Sequence, residues 1–490
     1  MQDFLGRATW ARVRAFVLRA EAGRVNRAVV GLGVGIALVV GALLAFLTPV
    51  GGAAVMIAGA GGLLMLRDMR WGLFALLGIV FLLPFASLPF KVGFTPTFLD
   101  LVFMALYGVW ALRLITRRQD DFIFTPVGWP VSIFVTLVVF SFLLGLKHSF
   151  PSSNALRTFG EVLLGFALFF LVVNNVRDES LLRQVTGVCV LAGAAESVIG
   201  IVFYVIPAAW TVRVLAPLAR LGYPAGYGAL RYIADDPSRP MRAIGTNVDP
   251  NILGALLVIT IAIAAAQLFA RRPALPRWVL AGSLGAMGLC LFLTYSRSSM
   301  LAAAGVLGLV ALFKYRRLFV VLAVAGALLL FLPQTQDYIS HLAQGFAIED
   351  LSTQMRMGEY KDVFKLIRRY PWLGVGFVGT PDIDLYLGVA SIYLTLAAEM
   401  GIVGLAAFLL VMFVFILYLW YGWRRLDGDS RFAPFVLGYG AAIIGSLGGG
   451  VLDHTLLTYP HAVALLWLVL GMGAVAVRLS LRRDQSGIPA

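Results

Sequence analysis

Apolar stretches of about 17 to 25 residues, the length that crosses a bilayer as a helix, follow one another along almost the whole chain. They fall near 28–48, 51–66, 71–88, 97–116, 127–147, 155–176, 184–206, 249–270, 278–294, 298–313, 318–333, 390–419, 433–451 and 460–477. The pattern predicts an all-α, polytopic integral membrane bundle of about 12–14 transmembrane helices. Two links are not short. One is 207–248. The other, 334–389, runs from Gln334 to Val389 and is the longest polar interval in the sequence. Within it Met357, Tyr360, Phe364 and Ile367 recur at helical spacing, which predicts an amphipathic helix over 353–370 with that stripe buried. Pro371 ends it, the glycines of WLGVGFVG make a tight turn, and Lys365, Arg368 and Arg369 fall on the solvated face.

Charge orients this pattern. Alternate links are basic: Arg67 and Arg70; Arg113, Arg117 and Arg118; Arg177 and Arg183; Arg271, Arg272 and Arg277; Lys314, Arg316 and Arg317; Arg424, Arg425 and Arg431; Arg478, Arg482 and Arg483. The short links between them are nearly uncharged. Basic loops stay in the cytoplasm, so both termini are expected there and the two long links on the outer face. Residues 1–27 form a basic cytoplasmic segment rather than a cleavable signal. Its stretch Phe4–Arg19 is either a helix lying on the inner leaflet or an unstructured tail. Residues 28–490 are expected to form a single membrane domain, without the internal repeats of transporters.

Composition agrees. The chain is 60% hydrophobic and only 13% charged, against roughly 25% in soluble proteins. Its net charge of +14 follows from membrane topology. No nucleic-acid motif or aromatic-laced basic stripe accompanies it, so nucleic acid is excluded as a partner. Cys189 and Cys290 both lie within spans, as unpaired packing residues.

The outward arginines are not explained by topology, because long loops escape the positive-inside bias. Arg231, Arg239 and Arg242, in the first long link, suit a phosphate-bearing ligand through forked hydrogen bonds, or else anionic lipid head groups. Arg213 and Arg220 fit an interfacial amphipathic segment. Arg297, in LTYSRSSML between two spans, is costly in lipid unless partnered or wet. It is a functional candidate, or else a structural partner of Glu196 or Glu161. Arg157 stands four residues before Glu161, so those two either pair or serve a ligand. Asp382 and Asp384 have the Asp-x-Asp spacing of many nucleotide-sugar enzymes, but Asp427 and Asp429 repeat it on the inner face, and a metal-free reading is preferred. The four histidines, His148, His341, His454 and His461, all map outward. No nucleotide loop, zinc pair or serine triad is present.

Four pieces, RAIGTNVDPNILGALL, TYSRSSMLAAAG, RMGEYKDVFKLIRRYPWLGVG and SIYLTLAAEMGIVGL, stand in this order in the C-terminal half. With them the chain resembles the bacterial O-antigen ligase/polymerase family of membrane glycosyltransferases. The resemblance implies an undecaprenyl-diphosphate-linked oligosaccharide donor on the outer face of the inner membrane, a glycan acceptor, inversion, and no metal or other cofactor. It casts Arg242 and Arg297 as stabilisers of the leaving diphosphate, and Arg356 as support for the large loop or a further phosphate contact. Asn251 and Asp249 match a Pro-Asn signature at a helix start, and Tyr393 and Glu399 stand where the loop re-enters the membrane. Ligases of the family carry a His–Asn pair where this chain has Ala390 and Ser391, so the usual base is replaced. His341, Asp382, Asp384 and Glu399 are the candidates to substitute, and a transfer that needs no strong base is the alternative. This departure favours a polymerase, working beside a chain-length regulator or flippase, over a ligase. A transporter is the reading of a different class; it predicts paired half-repeats and broken helices.

Overall fold

The computed structural model describes residues 61–490, apart from 63, 92, 118, 120, 148–149, 317–318, 321–323, 325–350, 378–388, 427–429 and 487–490; the side chains of 234, 351–356 and 483–486 also fall outside the description. Everything below lies in one compact unit, Met65–Ala490. The expected spans near 28–48 and 318–333 and most of 51–66 are outside the described residues, as are His148, His341, Asp382 and Asp384.

The fold is all-α. Its apolar helices are α1 (Arg70–Leu82), α2 (Phe98–Ile115), α3 (Gly128–Gly145), α4 (Ser153–Asn175) and α5 (Glu179–Val205). The short α6 (Ala208–Leu215) opens the first long link. Then come α7 (Pro250–Leu268), α8 (Arg277–Leu293), α9 (Arg297–Phe313), the polar α10 (Leu351–Arg369), α11 (Ile392–Trp423), α12 (Ala433–Gly449), the one-turn α13 (Thr455–Thr458) and α14 (Pro460–Ser486). Seven of these are long and apolar enough to cross a membrane, and four apolar helices are shorter. Most of their ends match the sequence expectation within a few residues, but α1 stops at Leu82 rather than the expected 88, α5 begins at Glu179 rather than 184, and α14 runs on to Ser486 rather than 477.

Helices that are apolar on every side belong inside a bundle, and two of them do so here. The hydrophobic window of α7 is 83% buried and that of α14 is 94% buried. Trp467 of α14 stacks on Phe134 of α3 and packs against Phe166 of α4, with ring centroids 5.6 and 5.2 Å apart. Several helices start at polar caps. Thr97 and Asp100 form a capping box, and Ser152, Asp178 and Asp249 each accept a backbone N–H.

The two ends of the bundle differ in chemistry. At one, arginines tie helix termini together: Arg478 donates to the carbonyls of Val173 and Val176, Arg183 to those of Arg272 and Pro273, and Arg431 pairs with Glu179 at 2.8 Å. At the other, the 207–248 link folds into a small core of its own around Leu215, Tyr223, Leu230 and Ile244. There Arg213 lies over the Trp210 ring.

Two expectations need correction. Helix α10 does form, but its buried face is Val363 and Leu366, flanked by Tyr360, Ile367 and Tyr370; Met357 and Phe364 are exposed. Both stripes have helical spacing, and docking against Val375, Val389 and Ala398 chooses between them. The span expected as one helix over 390–419 is broken at Gly401, where φ is 68° and ψ is −173°.

Candidate functional site

Arg242 is held in one orientation by two neighbours. Its Nε donates to the carbonyl of Thr294 at 2.8 Å, and one terminal nitrogen donates to Asn251 Oδ1 at 2.9 Å. Asn251 is the second residue of α7, and Thr294 stands three residues before Arg297, the first residue of α9. The guanidinium therefore sits where two helices begin, and helix N-termini favour anions. The cap of α7 is Asp249, whose Oδ1 accepts from the Asn251 and Ile252 amides at 2.7 and 3.1 Å. Asn251 is thus left as a partner of Arg242 rather than a cap. Between α8 and α9, Tyr295 takes φ of 52°, a conformation costly for a side chain of its size. It turns the chain so that α9 starts directly beyond the Thr294 carbonyl.

A buried carboxylate positions this segment. Glu196 of α5 is completely buried. Its Oε1 accepts from the backbone amides of Thr246 and Asn247 at 2.7 and 3.2 Å and from Asn247 Nδ2 at 2.9 Å, while Oε2 takes the Thr246 hydroxyl at 2.9 Å. A Cβ on Gly245, whose φ is +55°, would lie 2.2 Å from Oε1, so glycine is needed for the approach. The clamp fixes the turn between Arg242 and Asp249. Glu196 is therefore committed to the GTN turn, and Glu161 is committed to Arg157.

Arg157 bridges two acids, at 2.9 Å from Glu161 and 3.2 Å from Asp100, and Thr97 also hydrogen-bonds Glu161. It ties α4 to the start of α2. Arg231 and Arg239 sit on an exposed tongue closed by the Tyr232–Met241 bridge; the carbonyl of Arg231 accepts from the Arg242 amide at 2.8 Å. Arg239 lies 3.7 Å from Asp236. Ser238 donates to that carboxylate from its hydroxyl and its amide, which holds the Asp236 carboxyl below the usual range.

The large link closes on the broken helix. The break at Gly401 frees backbone groups that lipid cannot satisfy, and the loop after Pro371 supplies their partners. Ile402 N donates to Pro371 O at 2.8 Å and Val403 N to Trp372 O at 3.3 Å. Val375 N donates to Ala398 O at 2.9 Å and Gly376 N to Glu399 O at 2.8 Å. Ser141 of α3 adds a second donor to the Glu399 carbonyl. Glu399 thus stands at the break, away from the contacts of Arg242. Helix α10 docks on the re-entry point: Glu359 accepts from the Ala390 amide at 3.3 Å, and Tyr360 donates to the Ala390 carbonyl at 3.4 Å. Tyr393 donates to Leu447 O at 2.8 Å, and Ile392 N to Gly450 O at 2.9 Å. Arg356 lies on α10 with its side chain outside the description. Of the histidines, His454 Nδ1 meets Thr458 Oγ1 at 2.9 Å, and His461 is buried against Phe85.

Residues 282–409 match a family model described as O-antigen ligase. That segment is similar to the O-antigen ligase family, and the match supports the O-antigen ligase/polymerase resemblance. The match covers most of α8, all of α9 and α10, and α11 to just beyond its break, so it includes Arg297, Arg356, Tyr393 and Glu399. Arg242 and its clamp precede the matched segment. The match suggests a glycosyltransferase-type enzyme, and together with the seven long apolar helices it indicates a bacterial membrane protein. No curated protein matches it. Sequence reasoning missed Glu196, Thr294 and Glu359 as parts of this framework. A run of small polar residues, GTN, after an arginine was the one local signal for the clamp.

Proposed function

We propose that the chain polymerises lipid-linked oligosaccharide repeat units into a cell-surface or exported polysaccharide, on the outer face of the bacterial inner membrane. The observation that carries this reading is Arg242, bridged between Thr294 O and Asn251 Oδ1 at the starts of α7 and α9. Two arginines and two helix N-termini suit the growing charge of an undecaprenyl diphosphate leaving group. In this scheme an acceptor hydroxyl attacks the anomeric carbon of the donor from the face opposite the diphosphate. The bond from carbon to phosphate oxygen breaks with its electron pair on the lipid diphosphate, and the anomeric configuration inverts. The arginine-tied end of the bundle is the cytoplasmic one on this reading, with both termini there.

A ligase is the second reading, favoured by the printed description of the matched family; Ala390 and Ser391, where ligases of the family carry His–Asn, favour the polymerase. Purified protein with lipid-linked repeats separates the two. Longer lipid-linked chains made without another acceptor support the polymerase, and their absence counts against it. The transporter reading expected broken helices, and α11 is one. Among the described residues, however, the break is confined to that helix and is filled by the chain's own loop. Arg242→Ala and Arg297→Ala should each abolish glycan transfer while the protein still inserts. Wild-type yield from both would sink the diphosphate site.

A further inference from the structure

At the arginine-tied end of the bundle, beside the carbonyls that receive Arg478, an open pocket of about 310 Å³ lies between the residues just before α1, the last turn of α2 and the end of α4. Arg67, Arg113, Gln119, Asn174, Asn175 and Arg177 line it, with Leu66 at one side. Basic residues at this end follow from membrane topology, but a walled basic pocket does not. Its walls are braced. Asn174 is fully buried, and its side chain bonds the amide and the carbonyl of Ile123 at 2.6 and 3.2 Å, which pins the chain after Gln119 to α4. Arg177 is aimed by Asp121 at 2.8 Å and by the Asn174 carbonyl at 2.9 Å. Arg113 donates from one terminal nitrogen to the carbonyls of Met65 and Leu66 at 3.4 and 3.5 Å, and its Nε and other terminal nitrogen make no hydrogen bond among the described residues. Arg67 is exposed and likewise has no partner among the described residues.

The lining narrows the occupant. Three guanidinium groups, with no carboxylate among the described lining residues, repel a cation and suit phosphate. No aromatic ring is among them either, so a nucleobase would find nothing to stack on. The amide nitrogens of Gln119 and Asn175 are spent on the carbonyls of Asn174 and Leu171, at 3.2 and 2.8 Å, which leaves their oxygens to accept from hydroxyls. A water's share of liquid volume is about 30 Å³, so the pocket has room for about ten atoms of that size, the bulk of a glycerol joined to a phosphate. Its surroundings are those of a bilayer surface. Leu66 in the wall, and Leu112 and Ile115 in the same turn as Arg113, are exposed. The chain after Gln119 continues into the exposed rings of Phe122 and Phe124, which pack against Trp110 and Trp129 with centroids 6.0 and 5.0 Å apart. Exposed rings of this kind collect at head-group level.

We propose that this pocket binds the head group of an acidic glycerophospholipid from the adjacent leaflet, with Arg67 and Arg113 on its phosphate. Basic pockets between spanning helices take such head groups. Arg177 adds a third cation, and Gln119 and Asn175 face the head-group hydroxyls. The acyl chains run along the exposed apolar side of α2. The bound lipid joins the residues before α1 to the ends of α2 and α4, as Arg478 and Arg183 join other helix ends here. The site stands apart from Arg242 and does not depend on the glycosyl-transfer reading.

The test uses the full chain purified in a neutral detergent and titrated with dioleoyl phosphatidylglycerol or dioleoyl phosphatidylcholine, with bound lipid counted by native mass spectrometry. The wild type should bind its first phosphatidylglycerol about tenfold or more tighter than phosphatidylcholine, and Arg67→Gln should cost about fivefold of that, the scale of one basic residue at an anionic surface. Arg67→Gln combined with Arg113→Gln should cost about 25-fold on the same scale. Arg316→Gln combined with Arg424→Gln removes equal charge from exposed positions outside the pocket and should leave the first binding event unchanged. Equal loss in both pairs would mean general attraction to a basic surface and overturns the proposal. A wild type that does not prefer phosphatidylglycerol overturns it too, and that comparison stands even if the double variant fails to fold. Inorganic phosphate at millimolar concentration should not displace the lipid; if it does, the pocket serves a soluble anion and the lipid assignment is wrong.

Discussion

Gly401→Ala tests the plugged break in α11. At φ 68° and ψ −173° Gly401 occupies a region open essentially to glycine. A Cβ there would lie 2.2 Å from the Trp372 carbonyl carbon, 2.3 Å from its oxygen and 2.4 Å from Leu373 N. All three are backbone atoms, so no side chain can swing aside. The loop must move, and the bonds to Pro371 O and Trp372 O on that side go with it. Strain of about 1–3 kcal/mol adds to two backbone bonds worth about 1 kcal/mol each, so the expected loss is about 3–5 kcal/mol. Unfolding of the purified protein in a mixed-micelle denaturant titration measures it. Gly358→Ala is the control, since Gly358 lies exposed on α10 and a Cβ there meets nothing within 4 Å. Alanine should stabilise that helix by about 0.5–1 kcal/mol. If Gly401→Ala unfolds at the same midpoint as the wild type, the loop is not what completes the broken helix.

Two further outcomes follow from the framework. Glu196→Gln replaces an oxygen that receives the Thr246 and Asn247 donors with an amide facing them; it should cost about 1–3 kcal/mol and lower glycan transfer by misplacing Arg242, and unchanged stability and activity would show that the clamp is dispensable. Arg157→Ala leaves Asp100 and Glu161 facing each other, and should destabilise by about 3 kcal/mol, read in the same titration. Adding Glu161→Gln should recover part of that stability, whereas a variant that folds normally but no longer binds undecaprenyl diphosphate would return Arg157 to the substrate site.

Much of the fold was legible in the hydropathy pattern, because a lipid-facing helix must be apolar over a fixed length and that demand is written locally. Most of the described helices accordingly start and end near the expected limits. The candidate arginines stood out without any knowledge of their partners: Arg297 because a cation between two closely spaced spans is costly in lipid, and Arg242 because the positive-inside bias does not account for charge in a long link. Their partners were not visible. The Thr294 carbonyl is a backbone group that every residue carries, and Glu196 looked equally suited to pairing with Arg297.

The sequence by itself determined that this is an all-helical membrane protein with two long polar links, and it marked the arginines and the four family segments. Tertiary structure decided what those pieces do to one another. Val363 and Leu366 are buried on α10 because Val375 and Ala398 face them, although Met357 and Phe364 have equally good spacing. The glycines at 374, 376 and 401 could have been flexible punctuation; Gly374 and Gly401 are the contact points at which a loop backbone fits into a helix break, and Gly376 lets the same loop pass close to Ser141 and Gly145 of α3. Periodicity is a property of one segment and survives in one dimension. Close approach of two backbones, and the sharing of one carboxylate among four donors, are properties of segments distant in sequence, and only the folded chain brings them together.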